Sequence, residues 1–179
     1  MPKPMPRLTR KQMQKLKPKL SLKAQAIQCL ARRDYSRAEL RSRLLLKNIP
    51  KNAEAEAILK IENELDFVLD ELATKNLLDD ARFLAQTVDR KKTRFGAARI
   101  LRELKPHGLD EGAVLDVQAG LKETELERCV EVWQRKFNKN SADINLGDYP
   151  KYYAKQVRFL ASRGFSGSAI SATLKQYKH

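Results

Sequence analysis

The chain has 179 residues, 36 Lys and Arg against 22 Asp and Glu, and a net charge of +14. A hydrophobic fraction of 42%, a charged fraction of 32% and only seven Gly and seven Pro predict a soluble helical protein. They exclude a membrane helix, since no run approaches the roughly 18 apolar residues of a span, and the excess charge points to an anionic partner, nucleic acid first.

The first 20 residues carry seven Lys and Arg, four Pro and no acid. That composition buries no core and predicts a flexible basic arm. No apolar segment follows it, so no signal peptide is expected. Helices begin near Leu22, and the first is expected to reach about Arg33. Ser36 with Glu39 forms a capping box for the second, before Pro50. A third helix is expected from about Ala53 to Lys75, on the order of 34 Å long at about 1.5 Å per residue. Its stripe is Ile58, Ile61, Leu65, Val68 and Leu72. Asp79 or Asp80 caps a fourth helix running to about Lys92. Gly96 opens a fifth, and Asp110 caps a sixth with Val114, Val117 and Leu121. Thr124 with Glu127 forms a second capping box, before a stripe of Leu126, Val130, Trp133 and Phe137. Residues 138–148 read as a polar loop. Ser166 caps the last helix. No alternation of Val and Ile suggests a strand.

Three segments, 36–49, 96–109 and 152–165, superpose without a gap. Leu44, Leu104 and Leu160 coincide, as do Ala38, Ala98 and Ala154, and Ile49, Leu109 and Phe165. Asn48, Gly108 and Gly164 coincide as well, and are expected to be left-handed stops. The correspondence continues through Asp110 and Ser166, and through Val114 and Ile170. It predicts an all-α fold, an elongated array of three tandem three-helix repeats behind the basic arm. The divisions are 1–20 for the arm and 21–77, 78–121 and 122–179 for the repeats.

Little in the chain carries chemistry. Cys29 and Cys129 lie on apolar helix faces, which fits core packing in a reducing, cytoplasmic setting. With His107 and His179 they make no metal spacing, so no metal or cofactor is expected. There is no phosphate-binding glycine loop and no nucleophile elbow, and the reading is of a protein that is not an enzyme. Trp133 is assigned to the core; Tyr149, Tyr152 and Tyr153, beside Lys151 and Lys155, make a mixture that could stack on bases, while Tyr153 also aligns with the core face of Val157 and Leu160. The remaining signal is basic. Arg32, Arg33, Arg37, Arg41 and Arg43 surround the first repeated helix. Lys91, Lys92, Arg94, Arg99 and Arg102 surround the second, and Lys155, Arg158 and Arg163 the third. Arginine forks suit phosphate or carboxylate. These residues are the candidate contacts, lined up by stacking of the repeats. The acids between Glu54 and Asp80 are expected to form an opposed acidic surface that meets basic protein.

Four ordered motifs carry a resemblance. Residues 32–41 (RRDYSRAELR), 77–83 (LLDDARF), 92–96 (KTRFG) and 158–165 (RFLASRGF) resemble the bacterial RecX family, in order, over about Leu22 to Tyr177. The resemblance implies three tandem three-helix units and a regulator of the RecA recombinase. Such a protein lies in the groove of the RecA filament on DNA and blocks growth or promotes disassembly. It thereby lowers ATP hydrolysis, strand exchange and the coprotease activity of the SOS response. The expected partners are the RecA filament and, secondarily, single- and double-stranded DNA, with the protein a monomer. The alternative is a non-specific helical DNA-binding protein acting by occupancy. Pro106 departs from the family pattern and predicts an early end to the second repeated helix.

Overall fold

The computed structural model describes residues 20–137 and 149–177; the arm over residues 1–19 and the loop read at 138–148 lie outside them. All regular structure among the described residues is helical. α1 is Leu22–Leu30, α2 Arg37–Asn48, α3 Ala55–Thr74, α4 Asp80–Lys92, α5 Ala97–Leu104, α6 Glu111–Glu123, α7 Glu125–Phe137, α8 Tyr149–Ser162 and α9 Gly167–Gln176. A 3-10 turn, Lys105–His107, follows α5.

Among the described residues three separate apolar cores follow one another. The first joins α1, α2 and α3 through Leu22, Ala26, Leu40, Leu44, Leu65, Leu69 and Leu72, and Leu78 closes it. The second joins α4, α5 and α6 through Leu84, Ile100, Leu104 and Leu121. The third joins α7, α8 and α9 around Cys129, Trp133, Leu160, Phe165, Ile170 and Leu174. Leu44, Leu104 and Leu160 are each at most 1% exposed, so the leucine shared by the three segments is the central knob of each core. Every core is small, and each group of three helices leans on its neighbour for further burial.

Most helix signals act where the sequence places them. The Glu39 N–H donates to Ser36 Oγ at 3.1 Å, the Arg82 N–H to Asp79, the Ala113 N–H to Asp110 and the Ala169 N–H to Ser166. Gly108 and Gly164 adopt φ of 58° and 83°, the left-handed stop that spares a Cβ clash. Pro106 ends α5 early, in the 3-10 turn.

Several expectations are corrected. α1 stops at Leu30, short of Arg33. α3 starts at Ala55, and its buried stripe is Leu65, Val68, Leu69 and Leu72. Asn48 is not left-handed. It stays inside α2 with its amide buried, donating to Leu44 O at 2.8 Å and pairing with the Gln25 amide at 3.1 and 3.3 Å. Among the described residues the left-handed non-glycine residue is Asn76, after α3. Thr124 does not cap α7. α6 runs almost directly into α7, and the Thr124 hydroxyl donates back to Gly120 O while accepting from Arg128. The α7 core stripe is therefore Cys129, Val132, Trp133 and Phe137, with Leu126 exposed. Tyr153 is exposed and lies beside Tyr149, while Gln156 takes the buried position and accepts from the Trp133 indole N–H.

Candidate nucleic-acid interface

The geometry begins with how the groups of helices join, because the join recurs. At the first junction the N–H of Arg37, the first residue of α2, donates to the Asp80 carboxylate at the start of α4 (2.7 Å). At the second, the N–H of Ala97, the first residue of α5, donates to Glu125 at the start of α7 (3.2 Å). In both, a carboxylate from the next group serves the positive end of a repeated helix. In both, the C-terminal end of the next repeated helix meets the cap of the preceding one. Ser36 Oγ lies 3.2 Å from His107 Nδ1, and the Gly96 N–H donates to Arg163 O at 3.0 Å. The repeated helices thus run head to tail, with negative helix ends facing positive ones.

The second junction is the tighter. A Cβ on Gly96 would fall 2.2 Å from Gly164 O, and one on Gly164 would fall 2.6 Å from Arg99. The two backbones touch because neither residue has a side chain. Arg128, 8% exposed, is buried here.

 

Nothing in the hydrophobic pattern of the sequence singles out Arg128. Its guanidinium donates to Lys92 O, to Phe95 O at 2.7 Å and to Leu121 O at 2.6 Å. It thereby satisfies carbonyls left over at the end of α4 and beside the cap of α5.

The predicted basic residues divide sharply by environment. In the first group, Arg41 forms a two-pronged pair with Asp66 (2.8 and 3.1 Å) and lies 3.8 Å from Glu62. Arg37 pairs with Asp70 at 2.7 Å, and Arg33 pairs with Glu39 and lies over the Tyr35 ring. The hydrogen bond and charge of Arg41 hold the Asp66 carboxyl below its ordinary value. Much of the acidic face of α3 is therefore turned onto α2 of the same chain. Arg43 lies 5.9 Å over Tyr35, and it and Arg32 are exposed, with no carboxylate partner among the described residues. In the second group Lys91 pairs with Glu103, Lys92 with Asp89, and Arg99 with Glu103. Arg102 and Lys155 are exposed and unpaired among the described residues, and exposed Arg158 donates to Ala154 O of its own helix.

The second junction gathers the rest. Arg163 donates to Arg94 O at 3.1 Å, Arg99 to Ser162 O at 3.4 Å and Arg135 to Thr93 O at 2.5 Å. Phe95 carries the guanidiniums of Arg99, Arg94 and Arg163 within 4.1 to 5.8 Å of its ring centre, and Arg163 also lies 4.5 Å over Phe159. Burial, and then the nearness of Arg94, Arg99 and Arg135, push the Arg163 guanidinium down. A cleft of about 240 Å³ opens there, with Val132 and Phe159 among its lining and Arg94, Arg135, Lys136 and Arg163 around them. Arg135 and Lys136 were not among the predicted contacts. Their signal was the basic end of α7, which corresponds to Arg90 and Lys91 at the end of α4. Among the described residues no group of His, Cys, Asp and Glu could hold a metal, and no helix is long and apolar enough to cross a membrane.

The family model described as RecX, third three-helix domain, matches residues 123–174. The chain is similar to the regulatory protein RecX of Ralstonia nicotianae, 38% identical over 87% of each chain. It is also similar to that of Leptothrix cholodnii, 39% identical over 91% of this chain and 93% of the relative. Its fold is similar to the crystal structure of RecX from Lactobacillus salivarius, with a TM-score of 0.63, 18% identity and coverage of 87% of this chain and 93% of the other.

Proposed function

The chain belongs to the RecX family of regulatory proteins, and from that premise we propose that it binds the RecA nucleoprotein filament and inhibits its recombinase, ATPase and coprotease activities. The observation that carries this reading is the end-to-end similarity to RecX regulators, 38% identity across 87% of each chain. The protein acts as a cytoplasmic monomer whose successive groups of helices, 21–77, 78–121 and 122–179, meet successive parts of the filament. Many weak contacts joined in one chain then act together.

Arg32, Arg43, Arg102, Lys155 and Arg158 are the outward contacts in this reading, because no carboxylate of the described chain competes for them. Arg37 and Arg41 contribute mainly by holding α2 against α3. DNA is a secondary partner, met chiefly at the second junction. The test is DNA-dependent ATP hydrolysis by the cognate RecA, with this protein titrated from far below one copy per recombinase protomer. Loss of hydrolysis at low ratios supports action on the filament. Inhibition only near saturation of the DNA supports simple occupancy instead.

A further inference from the structure

The cleft at the second junction has a composition that charge attraction alone does not require. Arg94, Arg135, Lys136 and Arg163 supply four cations, while Val132 and Phe159 supply apolar surface. Among the described residues no carboxylate lines it. Among them, the acid paired with one of its cations is Glu131, 3.6 Å from Arg135, and both side chains are more than half exposed. At about 240 Å³ the cleft is smaller than the roughly 300–1,000 Å³ of common small-molecule pockets. It suits one unit of a longer chain better than a free cofactor.

Resting on the reading that this protein meets DNA, we propose that the cleft holds one unstacked nucleotide of single-stranded DNA, its phosphate on the guanidiniums and its base against Phe159 and Val132. A nucleotide offers one anion and one planar apolar group per unit, which matches the two halves of the lining. A duplex keeps its bases stacked and paired, so only its phosphates can reach the rim. An acidic peptide supplies the charge without the planar group. The crowding of Arg163 by Arg94, Arg99 and Arg135 adds a reason for an anion to settle there, since it relieves their mutual repulsion. The cleft draws its wall from Thr93 and Arg94 on one side and from α7 and α8 on the other, so its width depends on the glycine contact between the two groups of helices.

The experiment is fluorescence anisotropy of the full chain with oligo-dT, with an abasic strand of the same length and charge, and with duplex. The expected result is tighter binding of oligo-dT than of the abasic strand, by about 5- to 150-fold, the range of stacking one base. Phe159→Leu, which keeps apolar bulk beside Phe137, should lose most of that preference and keep the salt slope. Arg135→Ala with Lys136→Ala should weaken all strands and reduce the single-strand salt slope by about 0.7 per lost phosphate contact. Equal affinity for oligo-dT and the abasic strand in the unaltered protein overturns the proposal. So does displacement of oligo-dT by a poly-glutamate peptide of equal charge at equal concentration. These measurements contain no recombinase, so they separate the fate of the cleft from that of filament regulation.

Discussion

Gly96→Ala offers a sharp test of how the array is joined. The added Cβ would meet Gly164 O at 2.2 Å, Gly164 C at 2.4 Å and Phe165 N at 2.4 Å. All three are backbone atoms, so no rotamer change relieves the overlap, and the groups must part by about 1 Å to restore ordinary contact near 3.5 Å. Overpacking of this kind costs about 1–3 kcal/mol. Separation also strains the hydrogen bond from the Gly96 N–H to Arg163 O, worth about 1 kcal/mol. The expected loss is therefore about 2–4 kcal/mol, read by urea denaturation followed by circular dichroism. Gly120→Ala is the matched control. It lies within α6 with nothing within 4 Å of its added Cβ, and should gain up to about 1 kcal/mol. A Gly96→Ala protein within 0.5 kcal/mol of the parent, with Gly120→Ala behaving as expected, would refute the reasoning.

Asn48→Ala should cost about 1–3 kcal/mol by denaturation, since it leaves the buried Gln25 amide without its partner; Asn48→Gly should not stabilise the chain, because the residue is helical. Arg128→Met should cost about 3 kcal/mol, since it strips three carbonyls of a charged donor, and hydrogen exchange should rise at the second junction before it rises in the first core. Acid should weaken the first core. Lys23 and Lys75 hold the Glu71 carboxyl down at about 2, and Arg41 lowers Asp66; carboxyls lowered in the folded state stabilise it above their ordinary values and lose that contribution as pH falls toward 2. Melting temperature measured over that window should fall less steeply in Glu71→Gln with Asp66→Asn than in the parent. Arg32→Ala with Arg43→Ala should weaken filament inhibition while leaving the denaturation midpoint nearly unchanged, and an unaltered inhibition curve would remove those two from the interface.

Periodicity and capping chemistry made the helices legible, and the three coincident leucines located the knob of every core. Local pattern was insufficient where a distant residue decided the outcome. Asn48 occupies the same slot as two left-handed glycines, yet Gln25 of α1 keeps it helical. Thr124 has the spacing of a capping box, but α6 leaves it no free helix start to cap. Arg37 and Arg41 read as outward charge until α3 is laid beside them, although Glu62, Asp66 and Asp70 at intervals of four already marked one acidic face. The carboxylates of Asp80 and Glu125 show their shared role only when α4 and α7 are aligned. That alignment also places buried Arg128 opposite buried Phe83, a substitution no hydrophobic pattern anticipates. Arg135 and Lys136 sit at the basic end of α7, off the repeated helix around which the sequence clusters its other cations.

The most direct test of filament recognition compares binding of the labelled protein to bare single-stranded DNA and to the same strand coated with RecA, over a range of salt. Recognition of the filament predicts tighter binding to the coated strand and a shallower loss of affinity with salt than on bare DNA, where each phosphate contact adds about −0.7 to the slope. Equal or weaker binding to the coated strand, with the steep slope retained, would contradict it.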